Sequence, residues 1–155
     1  VPPHALVRPL ELQDLPALKA VIDQTGLFPS ALLDGMLDGY FEERPSANRW
    51  LTYDVFGPVA LLYAAPERLT EGTWNLLLLA VQPDVQGTGI GTALVNHLEH
   101  QLAVDGVRMI LVETSGLPDF ERTRSFYRRC GYTPEATIRD FYRTGEDKII
   151  FRKVL

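Results

Sequence analysis

Residues 81–94 read VQPDVQGTGIGTAL. An apolar run, Leu76 to Val81, leads into this stretch, and Ile90, Leu94, Leu98 and Leu102 recur every four residues after it. A short apolar run bounded by a turn signal reads as a buried strand, and the fourfold recurrence reads as an amphipathic helix ending near Gly106. Gly87, Gly89 and Gly91 therefore sit where a strand hands over to a helix. The first N–H groups of a helix have no acceptor within it, and the helix dipole is positive at that end, so the segment can hold an anion. Glycines remove the Cβ atoms that would keep phosphate oxygens from those amides. The expected ligand carries a pyrophosphate. Three other readings of the loop compete. A P-loop needs Gly-Lys-Ser/Thr, and none follows here. A Rossmann loop needs a glycine three positions after Gly89, where Thr92 stands, although Glu113 lies 22 positions after Gly91, close to the spacing of a ribose ligand. A bare turn with no ligand needs only one glycine.

The chain has 155 residues, which fits a single domain, 1–155, with one sizeable core. Apolar residues make up 46% and charged residues 23%, a composition that excludes disordered and fibrous classes. A net charge of −5 argues against a nucleic-acid partner. Cys130 is the one cysteine, so no internal disulfide forms, and a reducing, cytoplasmic setting is expected. Apolar runs such as Leu76 to Val81 are too short to span a membrane, and no basic-then-apolar signal segment opens the sequence.

Outward from the glycine loop, the coarse elements follow from periodicity. HALVRPL (residues 4–10) reads as a short strand. Leu12, Leu15, Leu18, Val21 and Ile22 mark a helix stopped by Gly26. A second helix is expected over residues 30–43, with Ser30 as N-cap, weakened by Gly35 and Gly39. RWLTYDVF and PVALLYAAPE read as strands joined at Gly57-Pro58, and GTWNLLLLAV as a central strand. VRMILVETS is a further buried strand, and DFERTRSFYRRCGY a helix stopped by Gly131. TIRDFYRTGEDKIIFRKVL reads as two strands around Thr144-Gly145. The order predicts an α+β fold with a mixed, mostly antiparallel sheet of about seven strands and about four helices.

Two segments carry a family resemblance. LLLAVQPDVQGTGIGTAL resembles motif A of the GNAT superfamily of N-acetyltransferases, with Gln86-x-x-Gly89-x-Gly91 after a strand ending Ala-Val-x-Pro. SFYRRCGY resembles that superfamily's second signature, Phe126-Tyr127-x-x-x-Gly131-Tyr132. The element order also matches that fold from end to end. The resemblance implies acetyl-CoA as cosubstrate, with its pyrophosphate on the amides of Gln86, Gly87, Thr88, Gly89, Ile90, Gly91 and Thr92. It implies that the two central strands splay and that the pantetheine arm pairs with the backbone around Leu79, Ala80 and Val81. It places Tyr127 opposite the sulfur. Many members carry an asparagine seven residues before that tyrosine, where this sequence has Phe120.

Acetyl transfer to a primary amine by direct attack needs a neutral amine, a polarised thioester, an oxyanion site and help for the leaving thiolate, but no enzyme nucleophile. A backbone N–H near Leu79 to Val81 is the implied oxyanion donor. Tyr127 is the expected hydrogen-bond donor to sulfur. Many relatives carry a glutamate on the strand before the loop. Here Trp74, Asn75 and Leu76 stand there, so Glu113 is the substitute base, with Glu71 a more distant candidate. The missing acid also motivates the alternative of a non-catalytic acyl-CoA sensor. Asp34, Asp38 and Glu42 would form an acidic stripe on the second helix. Arg122, Arg124, Arg128 and Arg129 offer partners for a ribose 3′-phosphate. Phe28, Phe141 and Tyr142 would flank the acceptor. His97 and His100 lack a third ligand, so no metal is expected. A homodimer through the C-terminal strands completes the expectations.

Overall fold

The computed structural model describes residues 6–42 and 47–155. The chain order is β1 (Leu6–Pro9), α1 (Leu15–Thr25), α2 (Leu32–Met36), β2 (Arg49–Asp54), β3 (Pro58–Pro66), β4 (Thr73–Val81), α3 (Ile90–Val104), β5 (Met109–Ser115), α4 (Glu121–Arg129), β6 (Thr133–Arg143) and β7 (Glu146–Val154). The seven strands are hydrogen-bonded in the order β1-β2-β3-β4-β5-β7-β6. β4 and β5 run parallel, whereas β1–β2, β2–β3, β5–β7 and β6–β7 are antiparallel. This is the mixed α+β sheet that the periodicity predicts. His4 and Ala5 of the expected first strand, and Glu43 of the expected second helix, lie outside the described residues. Among the described residues no helix is long and apolar enough to cross a membrane.

By internal contacts the chain forms two compact units, Val1–Ala65 with Leu78–His100, and Pro66–Leu77 with Gln101–Leu155. The first is built on the i, i+3, i+4 face of α1. Leu18, Val21 and Ile22 are buried there with Trp50 of β2, Leu61 of β3 and Leu78 of β4. Trp50 stands opposite Tyr63 in the β2–β3 register, and their rings stack at 4.0 Å. In the second unit Ile110 and Val112 of β5, Phe151 of β7 and Tyr132 are fully buried or nearly so.

The second helix differs from its expected span. α2 covers only Leu32–Met36, and residues 37–42 form turns. Ser30 is not its cap; Ala31 holds that position. Glycine costs a helix interior roughly 1 kcal/mol, and two of them within five positions end this one early. Asp34, Asp38 and Glu42 therefore do not line a helix face, and Asp34 is ion-paired to Lys19 at 2.6 Å.

Arg8 of β1 ties the start of the chain together. Its guanidinium donates to both carboxylate oxygens of Asp14, at 2.8 and 2.9 Å, and to Asp54 Oδ2 at 2.9 Å. The Asp14 side chain is 4% exposed. Hydrogen bonds from Arg8, and one from the Glu11 amide, hold its carboxyl below the usual carboxylate range against the opposing effect of burial. A depressed folded value stabilises the fold above the unfolded value near 4 and loses that contribution as pH falls. Asp14→Asn should therefore cost about 2 kcal/mol near neutral pH. The deficit should shrink as pH is lowered below about 4. Urea midpoints of both proteins at pH 7, 5 and 3 check this. A gap that stays constant would assign the effect to packing.

Candidate active site

The predicted site residues fall in two groups, one in each compact unit. In the first, Leu78 and Ala80 point into the core while Leu79 and Val81 are half-buried. A short 3₁₀ turn over Pro83–Val85 follows β4. The Gln82 amide donates to Val59 O at 2.8 Å, and the Gln86 side chain donates to Val81 O at 3.0 Å. Gly87 and Gly89 have φ values of +76° and +92°. A Cβ is strained in that region, so both positions favour glycine. Around an added Cβ at Gly89 nothing lies within 4 Å, so the backbone there is open to approach. The α3 ladder begins with Ala93 N–H donating to Gly89 O at 2.9 Å. The amides of Ile90, Gly91 and Thr92 precede it and have no intrahelical acceptor.

Two expectations change in detail. Gly91 lies inside the first turn of α3, so the special backbone is confined to Gly87 and Gly89. The Gln86 amide donates to Pro83 O at 3.3 Å, which removes it from the set of open donors.

In the second unit Tyr127 lies on the buried side of α4 and is 6% exposed. Its ring packs against Tyr132 at 5.8 Å and Phe151 at 6.2 Å. Phe151 stands opposite Val112 in the β5–β7 register. Side chains alternate along a strand, so Glu113 points to the opposite face of the sheet from Tyr127. The β4–β5 register runs from Thr73 opposite Met109 to Leu76 opposite Val112, and Glu113 is the next residue of β5. On β4 the next residue is Leu77, which is 50% exposed despite its central strand. Asn75 is buried on that side, and its amide nitrogen reaches Glu67 Oε2 at 3.4 Å.

Glu113 is paired. Lys148 Nζ of β7 lies 3.0 Å from its Oε2, and the Lys148 side chain is 11% exposed. The same ammonium lies 3.6 Å from the centroid of the Phe141 ring. Phe141 is carried by a bulge: Ile138 pairs with Lys148 and Arg143 with Glu146, so Arg139, Asp140, Phe141 and Tyr142 stand against Asp147 alone. Asp140 has φ +53°. Its amide donates to Asp147 Oδ1 at 3.0 Å, and its own carboxylate accepts from the Gly145 amide at 2.7 Å. Phe141 and Tyr142 meet edge to face at 5.0 Å. Burial raises the Tyr142 phenol above its usual range, and Glu113 and Glu146 add to the shift.

The other expected residues have surroundings of their own. Phe28 packs against the core of the first unit. Arg124 is buried and donates to Ser115 O and Leu117 O at 2.7 and 2.8 Å and to Glu121 at 2.7 Å, so its guanidinium is engaged within the second unit. Arg128 lies over the Phe151 ring at 5.6 Å. Arg122 and Arg129 are exposed. Sequence reading missed Lys148, Glu67 and the bulge. Lys148 alternates in phase with Ile150 and Arg152, but only the β5–β7 register brings it to Glu113.

A family profile for the acetyltransferase (GNAT) domain matches residues 49–134. An uncharacterized N-acetyltransferase of Methanocaldococcus jannaschii is 33% identical over 85 residues, 53% of this chain and 52% of that protein. The chain thus spans about half the length of the curated relative it matches. A crystal structure of a protein placed in the GNAT family, from Desulfovibrio desulfuricans, superposes with a TM-score of 0.90 at 29% identity, covering 97% of this chain and 98% of that one. Ribosomal-protein-alanine N-acetyltransferase from Brucella melitensis superposes at 0.78 with 18% identity, covering 97% and 99%. An aminoglycoside 6′-N-acetyltransferase complexed with coenzyme A does so at 0.73 with 20% identity, covering 96% of each chain. The last two likenesses speak to the fold. The chain belongs to the GNAT acetyltransferase family.

Burial pushes the Tyr127 phenol well above its usual value, and Cys130 adds to the effect. A group whose folded value is raised contributes stability that is fully present below the unfolded value near 10 and is lost as pH rises further. The stability of the protein should fall above pH 10 with a share of about 1.4 kcal/mol per pH unit from this one proton. Tyr127→Phe should remove that share. Urea midpoints between pH 8 and 11 measure it, and equal alkaline slopes in both proteins would show that Tyr127 ionises while folded.

Proposed function

We propose that the protein is an N-acetyltransferase that moves an acetyl group from acetyl-CoA to a primary amine by direct attack within a ternary complex, with residues 1–155 working as one domain. The observation that carries this reading is the strand-to-helix turn after β4. Positive φ at Gly87 and Gly89, open space above Gly89 and the unpaired first-turn amides of α3 fit a pyrophosphate, in a chain of this family. On this reading the amides of Gly87 through Thr92 hold the pyrophosphate. Backbone groups of Leu79, Ala80 and Val81 receive the pantetheine, with Val81 O already engaged by Gln86.

The amine nitrogen attacks the thioester carbonyl, the C–S bond breaks, and the products are an amide and the CoA thiolate, which takes a proton from solvent to become the thiol. The amine must lose a proton and the sulfur must be stabilised as charge develops on it. Tyr127 suits the second task as a hydrogen-bond donor, because its burial keeps the phenol protonated. Glu113, directly or through a water, takes the proton from the amine. The two lie on opposite faces of the sheet, which suits entry of the nucleophile on one side and departure of the thiol on the other. Exposed Leu77 supports an uncovered position on the central strand beside them. Phe28 and Tyr142 border the acceptor. A homodimer through the C-terminal strands belongs to the same reading; β6 is exposed along its whole length.

A second reading, a non-catalytic acyl-CoA sensor, draws on Asn75, buried where many relatives carry an acid. An amine panel separates the two. The enzyme reading expects CoA release that depends on the amine, and the sensor reading expects acetyl-CoA binding without release.

Gly89→Val places a side chain in strained backbone and in the path of the phosphate. Calorimetry with acetyl-CoA should show affinity weakened about tenfold or more, since one bidentate anion contact is worth about that much. Unchanged affinity in a folded variant would remove the pyrophosphate from this loop.

Glu113→Gln removes basicity with little change in shape. Its loss of kcat/KM should be about 10²-fold for strongly basic alkylamines and should shrink for acceptors that are already neutral at the assay pH. An equal loss across the panel would make Glu113 a positioning group, and no loss would leave the proton to water.

A further inference from the structure

Lys148 enters neither the family resemblance nor the proposed chemistry, yet it links the two elements that the acceptor reading uses. Its ammonium has the Glu113 carboxylate of β5 on one side at 3.0 Å and the face of the Phe141 ring of β6 on the other at 3.6 Å. A carboxylate opposed to an aromatic face is the surrounding that binds an alkylammonium group. Lys148 is buried, and burial of an ammonium is costly unless such partners compensate it. The lysine is fixed from both sides of its own strand, opposite Ser115 in one register and opposite Ile138 in the other. The bulge that carries Phe141 is held from below by the Asp147 carboxylate, and Asp147 O accepts from the Gly116 amide at 2.9 Å at the end of β5. Glu113 and Glu146 also act on the Tyr142 phenol, Arg143 of the β6–β7 hairpin is ion-paired to Glu146 at 2.8 Å, and Arg152 turns to Glu135 at 3.9 Å.

We infer that Lys148 is a positioning residue for the acceptor side. It holds the Glu113 carboxylate and the Phe141–Tyr142 bulge as one wall. Its own ammonium fills the niche between carboxylate and ring, so the incoming amine meets the exposed edge of Glu113, whose side chain remains 30% accessible. This rests on the reading of Glu113 as the base. The niche selects against acceptors that would bury a second ammonium there, and it directs the reacting amine to one side of the carboxylate.

A double-mutant cycle on Lys148→Met and Glu113→Gln tests it, with kcat/KM measured on the amine panel and acetyl-CoA affinity measured by calorimetry. Lys148→Met should lower kcat/KM for basic amines about tenfold or more, with acetyl-CoA affinity changed less than about twofold. In the Glu113→Gln background the same substitution should cost less than about threefold, because its partner is already gone. Lys148→Met should also share the Glu113→Gln signature, a deficit that shrinks for less basic amines. Independent, multiplying losses would overturn the proposal, as would a Lys148→Met enzyme equal to wild type while Glu113→Gln is impaired. If Glu113→Gln is itself unimpaired, the base reading fails, and a loss in Lys148→Met would then show that Lys148 acts through something other than Glu113. Lys148→Gln replaces Lys148→Met in the cycle if circular dichroism shows that the methionine variant does not fold.

Discussion

The first turn of α3 cannot satisfy its own amides. Ile90, Gly91 and Thr92 precede the ladder that opens with Ala93 donating to Gly89, so they need an acceptor from outside the helix. Water serves that need in any exposed helix. Here the approach is shaped, because β4 ends in the core of the first unit and the chain must swing into a helix whose Leu94, Leu98 and Leu102 are fully buried. The turn is made with Gly87 and Gly89 at positive φ, and the space around a Cβ at Gly89 is open. Sheet register on one side and helix packing on the other fix the donors in place before any ligand arrives. Such preorganisation is what lets an anion site bind without a further ordering cost.

The second constraint is the pleat of β5. Neighbouring residues must face opposite ways, so Val112 and Glu113 divide between the two sides of the sheet. On the Val112 side lie Phe151 and the aromatic packing that buries Tyr127. On the other side lie Glu113 and Lys148. The apolar face raises the Tyr127 phenol and so favours its protonated form, which suits a hydrogen-bond donor. The charged face keeps a carboxylate in an ion pair. One strand thus provides two environments with opposite electrostatic consequences, a short distance apart in sequence.

The elements that were legible in the sequence are those whose period and packing agree. Ile90, Leu94, Leu98 and Leu102 are buried as their spacing predicts, and α3 ends at Val104, just short of Gly106. The glycine loop was legible because its backbone demand appears as residue type. The second helix is shorter than its apolar pattern suggests, since Leu33, Met36 and Leu37 continue an apolar face that Gly35 and Gly39 do not sustain. Glu113 stood out as a lone acid in an apolar strand. Its partner did not, because pairing Lys148 with Glu113 requires the antiparallel register of β5 and β7, and register depends on tertiary packing. The bulge at residues 139–142 was equally hidden: nothing in the local sequence says that four residues will face one.

That bulge carries a cost that bears on its use. Asp140 sits at φ +53°, and a non-glycine residue held there costs on the order of 1 kcal/mol or more. Two hydrogen bonds offset part of it, one from the Asp140 amide to Asp147 and one from the Gly145 amide to Asp140. A straight β6 would need neither the strain nor the compensation. It would also keep strict alternation against β7, and Phe141 would then be set by the pleat alone. The bulge frees Phe141 from that phase and lets its ring close over the Lys148 ammonium. Bulges of this kind re-aim a side chain, and here the re-aimed ring meets the ion pair that orients the only acid on β5. The strain at Asp140 thus has a local return in this corner of the second unit: it sets the Phe141 ring against the Glu113–Lys148 pair.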